Sequence, residues 1–313
     1  MRGSAEEARG ILWQRAGKCA PAGWRVWGAH PRTGSTPKMK YGIVLPYNSA
    51  RRTAELAREA EQAGWDGIFV GDAIWCEDPL IALTAAAMVT ERVALGTMVL
   101  AMPLRRPWHL ASESLAIDRL SQGRLILGLG AGAVWMGWQG FPDVPTDPRI
   151  RGELLDESID LLTLFYQRKP FDYDGKHFHL RLSLVDEMHY PPRPVQQPRI
   201  PLWVVGIWPK MKSMRRVLKC DGLIPMKLDE RGEYTEVKPE DLAVMRAWLM
   251  EHSPQGKTFD LPVEGKSYGL SPDQREDVIA PWIEAGATWW IESSWGMDEE
   301  TLLGCILQGP PRS

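Results

Sequence analysis

From Met39 onward, short apolar runs alternate with segments whose apolar residues recur at helical spacing. The first run, Tyr41–Tyr47, reads as a strand. The segment after it, Thr53–Ala63, sets Ala54, Leu56, Ala57, Ala60 and Ala63 on one helical face, with Gly64 as its stop. The same alternation predicts strands at Gly67–Gly71, Val93–Leu100, Arg124–Gly128, Pro201–Gly206, Gly222–Met226, Asp260–Glu264 and Thr288–Glu292. Between and after them it predicts helices at Pro79–Val89, Trp108–Leu120, Arg151–Gln167, Lys210–Lys219, Pro239–Glu251, Gln274–Ala285 and Asp298–Ile306. One stretch, Phe171–Arg199, breaks the rhythm, because Pro191-Pro192-Arg193-Pro194 suits neither a helix nor a central strand. Eight consecutive βα pairs predict an α/β fold, a (β/α)8 TIM barrel with insertions over its C-terminal face. An open doubly wound sheet is the alternative, and it needs a topological switch. On the barrel, chemistry belongs at the C-terminal ends of the strands.

Residues 1–38 show no sustained period. They carry seven Lys and Arg against two Glu, a local +5 that leaves −8 for residues 39–313 within a total of −3. They read as a disordered basic leader or as translated upstream sequence before a natural start at Met39. A targeting arm is the other reading, and the lack of an amphipathic period weighs against it. Residues 39–313 are then the barrel. Hydrophobic residues at 44% and charged residues at 25% are ordinary globular usage. The small net charge advertises neither nucleic acid nor membrane as partner. No apolar run reaches the roughly 18 residues of a membrane span. Cys19, Cys76, Cys220 and Cys305 lie too far apart for metal or redox motifs, so a reducing, cytoplasmic setting is expected.

The predicted strand ends hold few candidate groups. Asp72 is the first ionisable residue after the second strand, either a positioned carboxylate or a cap of its own loop. Glu292, at the end of the eighth strand, is the second candidate. The fourth strand closes on Gly128-Leu129-Gly130-Ala131-Gly132, where glycines admit close approach by a ligand. No helix follows at once, which argues against a dinucleotide fingerprint. After the fifth strand, Gly206-Ile207-Trp208-Pro209-Lys210-Met211-Lys212 offers a helix start and two lysines, either a phosphate site or a solvated basic turn. His177 and His179 could share one strand face as metal ligands, but a third ligand is lacking and an exposed hairpin edge explains them better. No metal is therefore expected. With 15 Trp beside 6 Phe and 7 Tyr, indoles are abundant; Trp75, Trp135 and Trp138 are pocket-wall or packing residues. No nucleophile elbow, P-loop or H-E-x-x-H occurs.

Four stretches together resemble the bacterial luciferase-like flavin oxidoreductases. They are Ala57–Gly67 (AREAEQAGWDG), Thr90–Thr97 (TERVALGT), Leu120–Gly132 (LSQGRL running into GLGAG) and Pro192–Pro201 (PRPVQQPRIP). The resemblance implies a (β/α)8 barrel holding FMN or coenzyme F420 at its C-terminal face. It implies an oxidoreductase or monooxygenase acting on a small organic substrate, served by a separate flavin or F420 reductase, and often a homodimer. A flavin-holding barrel without turnover is the alternative. The match sets Met98-Val99 where many members carry a non-prolyl cis peptide beneath the ring. It sets Gly130 and Gly132 at the cofactor turn, and Gly206, Ile207, Trp208, Lys210 and Lys212 around the phosphate. The cover is Ala133–Pro148 with Phe171–Arg199. Two departures stand out: Ala73 follows Asp72 where many members have histidine, and Ala131 stands where some FMN-binding relatives have arginine.

Overall fold

The structure is a computed structural model and describes residues 39–46, 49–74 and 76–312. The expected leader at residues 1–38 and the candidate Trp75 lie outside the described residues. Eight parallel strands form the barrel: β1 Lys40–Leu45, β2 Gly67–Val70, β3 Ala94–Thr97, β4 Leu125–Gly130, β5 Leu202–Trp208, β6 Gly222–Leu228, β7 Pro262–Gly265 and β8 Trp289–Glu292. They pair in chain order from β1 to β6, β8 pairs both β1 and β7, and a parallel bridge between Gly222 and Asp260 closes the ring from β6 to β7. The helices that cover it are α1 Ala50–Gln62, α2 Pro79–Ala87, α3 Pro107–Leu120, α4 Pro148–Gln167, α5 Met211–Val217, α6 Pro239–His252, α7 Pro272–Ala285 and α8 Glu299–Gln308. The closed ring excludes the open-sheet alternative.

Local chemistry sets the helix starts. Asp78, Asp147, Ser271 and Asp298 accept first-turn amides at their helices, and proline opens α2, α3, α4, α6 and α7. Each strand alternates inward and outward positions. Outward residues such as Ile68, Leu95, Leu127, Leu223 and Trp290 pack under the helices, while Val44, Phe69, Ala94, Ile126, Trp203, Ile224, Trp289 and Ile291 fill the interior. Phe69 stacks on Trp203 at 5.4 Å and meets Trp289 edge-on at 5.6 Å. That ring fits only because Gly96 has no side chain: a Cβ there would lie 2.3 Å from two Phe69 ring atoms. Below this plug, Trp203 Nε1 donates to the half-buried Asp260, and Lys40 Nζ sits 5.0 Å from the Trp289 ring, sealing the N-terminal end.

Three strand ends run further than their sequence predicts. β4 continues to Gly130, β5 to Trp208, and β6 to Leu228, where it picks up an antiparallel edge at Tyr234–Thr235. The third run is the opposite case. It stops at Thr97, and Leu100–Ala101 resumes pairing against β4 after a cis Met98–Val99 bond. Thr97 Oγ1 fixes the break by donating to the Gly128 carbonyl and accepting its amide, both at 2.9 Å. The irregular stretch contains a hairpin, Asp172–Asp174 against His179–Arg181. It turns at Gly175, and Glu157 of α4 accepts the Lys176, His177 and Phe178 amides.

Candidate functional site

The C-terminal end of the barrel is the open one, and its walls differ from side to side. Met98 and the half-buried Val99 face inward between β3 and β4, with Val205 of β5 beside them. A Cβ on Gly130 would lie 2.8 Å from Val99 Cγ2, so glycine here lets the cis segment lie flat against β4. The result is an apolar shelf over the aromatic plug.

Asp72 holds that shelf from behind. Its carboxylate accepts from the Ala101 amide at 3.0 Å and from Arg105 Nε and Nη2 at 3.3 and 3.1 Å. Arg105 also reaches Asp78 at 2.9 Å. Burial disfavours the Arg105 charge, but the two carboxylates outweigh it and hold the guanidinium above its ordinary value. Asp72 therefore ties the end of β2 to the segment after the cis bond, which is neither of the two sequence readings in pure form.

Glu292 points the other way. On β8 the inward positions are Trp289 and Ile291, so Glu292 faces the helical layer. Its carboxylate takes the Ser267 amide and hydroxyl, the Tyr268 amide and Trp290 Nε1, all within 3.0 Å. The expectation that it stands in the site is corrected by strand parity.

The carboxylate that does face the mouth is Glu264, at the inward position of β7 after Pro262. It is open to solvent on the mouth side, and Trp295 Nε1 donates to its Oε2 at 2.9 Å. Burial among its neighbours raises its carboxyl above the ordinary range, partly offset by hydrogen bonds from Trp295 and Ser293. Sequence reading ended a strand on this residue and passed it over. The signal was there, since alternation from the buried Val263 turns Glu264 inward.

The expected phosphate region is rearranged. Gly206 faces outward, where a Cβ would lie 2.3 Å from Leu223 Cδ1 and 3.0 Å from Val217 of α5. The Ile207 amide, expected to face a phosphate, donates to Ser213 Oγ at 3.0 Å. Trp208 packs against the outer core. Lys212 is exposed and 3.8 Å from Asp156 of α4, and Lys210 is an exposed residue before α5. A cation enters from another element. Arg151 of α4 donates from Nη1 to the Gly132 and Ala131 carbonyls at 2.6 and 3.3 Å, and its Nε is buried without a partner. It stands at the turn where Ala131 left an arginine missing. Gly132 makes room there for the buried Trp138, whose ring would meet a Cβ at 1.7 Å. Trp138 is thus packing, while Trp135 on the cover is 83% exposed. His177 Nε2 pairs with Glu153 at 2.9 Å and His179 Nδ1 lies 3.4 Å from Asp174, so the two rings serve different partners. Among the described residues no group of three or more His, Cys, Asp or Glu could hold a metal. No described helix is long and apolar enough to cross a membrane.

A profile of the luciferase-like monooxygenases matches residues 25–254, most of the chain. The chain belongs to the luciferase-like monooxygenase family. A provisionally named coenzyme F420-dependent oxidoreductase of Mycobacterium tuberculosis is 33% identical over 222 residues, 66% of this luciferase-like chain and 61% of that protein. The chain spans less than two thirds of the length of the curated relatives it matches, 61%, 33% and 47% in three of them. Among solved structures, the coenzyme F420-dependent tetrahydromethanopterin reductase of Methanopyrus kandleri superposes with a TM-score of 0.68 at 18% identity, covering 87% of this chain and 98% of that one. The oxygenating component of 3,6-diketocamphane monooxygenase from Pseudomonas putida, in complex with FMN, gives 0.63 at 17% identity over 86% and 96%. These likenesses show that the family's barrel is the fold of this chain.

Proposed function

We propose that this luciferase-like chain is an oxidoreductase that binds FMN or coenzyme F420 at the open end of its barrel and acts on a small organic substrate. The family match over residues 25–254 carries the reading, and the relatives named above support it, because one is named for F420 and another holds FMN. Oxygen insertion and plain hydride transfer both belong to this class. Holding a flavin without turnover is not favoured, since these relatives are named as enzymes.

The residues present fit such a group. A planar ring system needs an apolar shelf approached closely by backbone, which Met98, Val99, Val205 and Gly130 offer. An anionic tail needs a cation with a free donor, and the buried Nε of Arg151 is one. When bound, the cofactor supplies the electrons for the reaction. Asp72 and Arg105 keep the shelf in place, and the cover residues exclude water. The lysine pair, both exposed and with Lys212 3.8 Å from Asp156 of α4, adds only general positive charge. A separate flavin or F420 reductase, a homodimer and a cytoplasmic location complete the reading; the described cysteines Cys76, Cys220 and Cys305 are all unpaired, as a reducing compartment requires.

Titrating the full chain with FMN and with F420 tests the reading. Saturable binding of one of them is expected, followed by faster consumption of the reduced form in the presence of a substrate or oxygen than in buffer. Binding of neither refutes it.

A further inference from the structure

Among the inward positions of the eight strands, ionisable side chains occur at two depths. Lys40 and Asp260 lie at the sealed N-terminal end, beneath Trp203 and Trp289. Glu264 stands alone at the open end. Strand order places β7 four strands from β3 around the ring of eight, so Glu264 faces the Met98–Val99 shelf from the far wall. The inward positions beside it are Ile224 and Met226 on β6 and Ile291 and Ser293 along β8, none of which titrates. The inward residues of the lower mouth are thus apolar except for the Glu264 carboxyl and the Ser293 hydroxyl that bonds to it.

We propose that Glu264 binds the polar end of the substrate, and that the substrate is an apolar molecule carrying a carbonyl or hydroxyl oxygen. The inference rests on the redox reading of this mouth, which makes it the place where a substrate enters. Three observations lead to it. Glu264 is accessible from the mouth, whereas Asp72 is engaged by Ala101 and Arg105 and Glu292 faces the helices. One of its oxygens is oriented by Trp295 Nε1, which fixes the carboxyl group in the opening. Burial with no opposing cation favours its neutral form, and a neutral carboxyl can donate to a carbonyl oxygen where a carboxylate cannot. The position also bears on the missing histidine after Asp72: an ionisable carboxyl stands on β7, three strands away around the ring, instead. A substrate with no oxygen would leave this polar group facing an apolar molecule, which costs binding.

The test uses the full chain and two probes, 2-octanone and n-octane, with binding read by quenching of tryptophan fluorescence. Wild-type protein should favour the ketone over the alkane by about fivefold, the worth of one neutral hydrogen bond. Ketone affinity should fall as pH rises through the raised Glu264 titration, because ionisation removes the donated proton. Glu264→Gln still donates through its amide, so it should keep the preference and lose the pH dependence. Glu264→Leu should lose both while binding the alkane at least as well. Each variant is also titrated with FMN and F420. Unchanged ketone preference in Glu264→Leu overturns the inference, as does a loss of cofactor affinity in that variant with ketone preference intact. Failure of wild-type protein to bind either cofactor overturns the redox reading itself, and so is told apart from failure of the Glu264 assignment.

Discussion

Replacing Asp72 by Asn keeps size and shape and removes a charge from the centre of the Ala101–Arg105–Asp78 network. The amide nitrogen must then face either the Ala101 N–H or the Arg105 guanidinium, both donors. At least one charge-assisted bond is lost, worth about 1.5–3 kcal/mol. Breaking a buried pair outright costs about 3–5 kcal/mol, but Arg105 keeps Asp78 at 2.9 Å and its side chain is 17% exposed, so the lower part of the range applies. We expect a loss of about 2–3 kcal/mol. At about 2–4 °C per kcal/mol for a chain of this size, the melting temperature should fall by roughly 5–10 °C.

The assay is urea unfolding of Asp72→Asn, Arg105→Met and the double variant, with cofactor affinity measured on the same preparations. If Asp72 acts by holding the segment after the cis bond, the two single variants should resemble each other. The double variant should then be much less destabilised than their sum, with a coupling of about 1–3 kcal/mol. Cofactor affinity should drop in both single variants, because the shelf they support moves. Full stability in Asp72→Asn together with lost turnover and normal cofactor affinity would refute this reasoning and make Asp72 a catalytic residue that touches substrate.

Other outcomes follow from the same geometry. Arg151→Met should weaken FMN or F420 far more than riboflavin, which lacks the phosphate, while Lys210→Ala with Lys212→Ala should change the phosphorylated cofactor by less than about threefold; equal losses for both cofactor types would place the phosphate elsewhere. Gly96→Ala drives a methyl group to 2.3 Å from Phe69, a ring confined by Trp203 and Trp289, and should destabilise by about 1–3 kcal/mol or more in thermal melts. Glu153, paired with Lys176 and His177, has its carboxyl lowered to about 2 by those hydrogen bonds. Because its folded value lies below the unfolded one, its contribution is present above the ordinary glutamate range and is lost as pH falls toward 2. Limited proteolysis should therefore cut the 172–181 hairpin faster at pH 3 than at pH 6, and Glu153→Gln should reduce the difference, the rest coming from Asp172 and Asp174, whose carboxyls are lowered as well.

The order of elements was readable because each strand is a short apolar run and each helix keeps its period, so every predicted strand and helix has a counterpart here. The stretches that made the family legible turn out to be structural. Glu61 accepts the Glu91, Arg92 and Val93 amides. Arg124 donates to the Ala87, Thr90 and Val93 carbonyls. Gln196 bridges Asp118 and the Leu125 carbonyl at 2.8 and 2.7 Å. All three hold the turns that lead into the strands, at the closed end of the barrel. A motif that stitches turns needs particular residues whatever the substrate. It says where the barrel is and little about what the open end does.

The open end was less legible because its chemistry depends on parity, and parity is set by where each strand begins to pair. Glu264 and Glu292 look equivalent in sequence: each is an acidic residue closing an apolar run. In the sheet, Glu264 pairs beside Ile291 and Gly265 beside Glu292. Adjacent parallel strands in register share their inward rows, so Glu264 and Ile291 point into the barrel while Glu292 points out. A shift of one residue in either strand would turn its own glutamate to the other face, and a shift in both would exchange their roles. The buried residues on each side decide the matter, since Val263 and Trp290 belong to the outer core and Trp289 and Ile291 to the inner one. For a barrel of this kind, a strand-end acid becomes a site candidate only after its neighbours have been assigned to one core or the other. By that criterion Glu264 takes the place at the mouth for which Glu292 looked equally suited in the sequence.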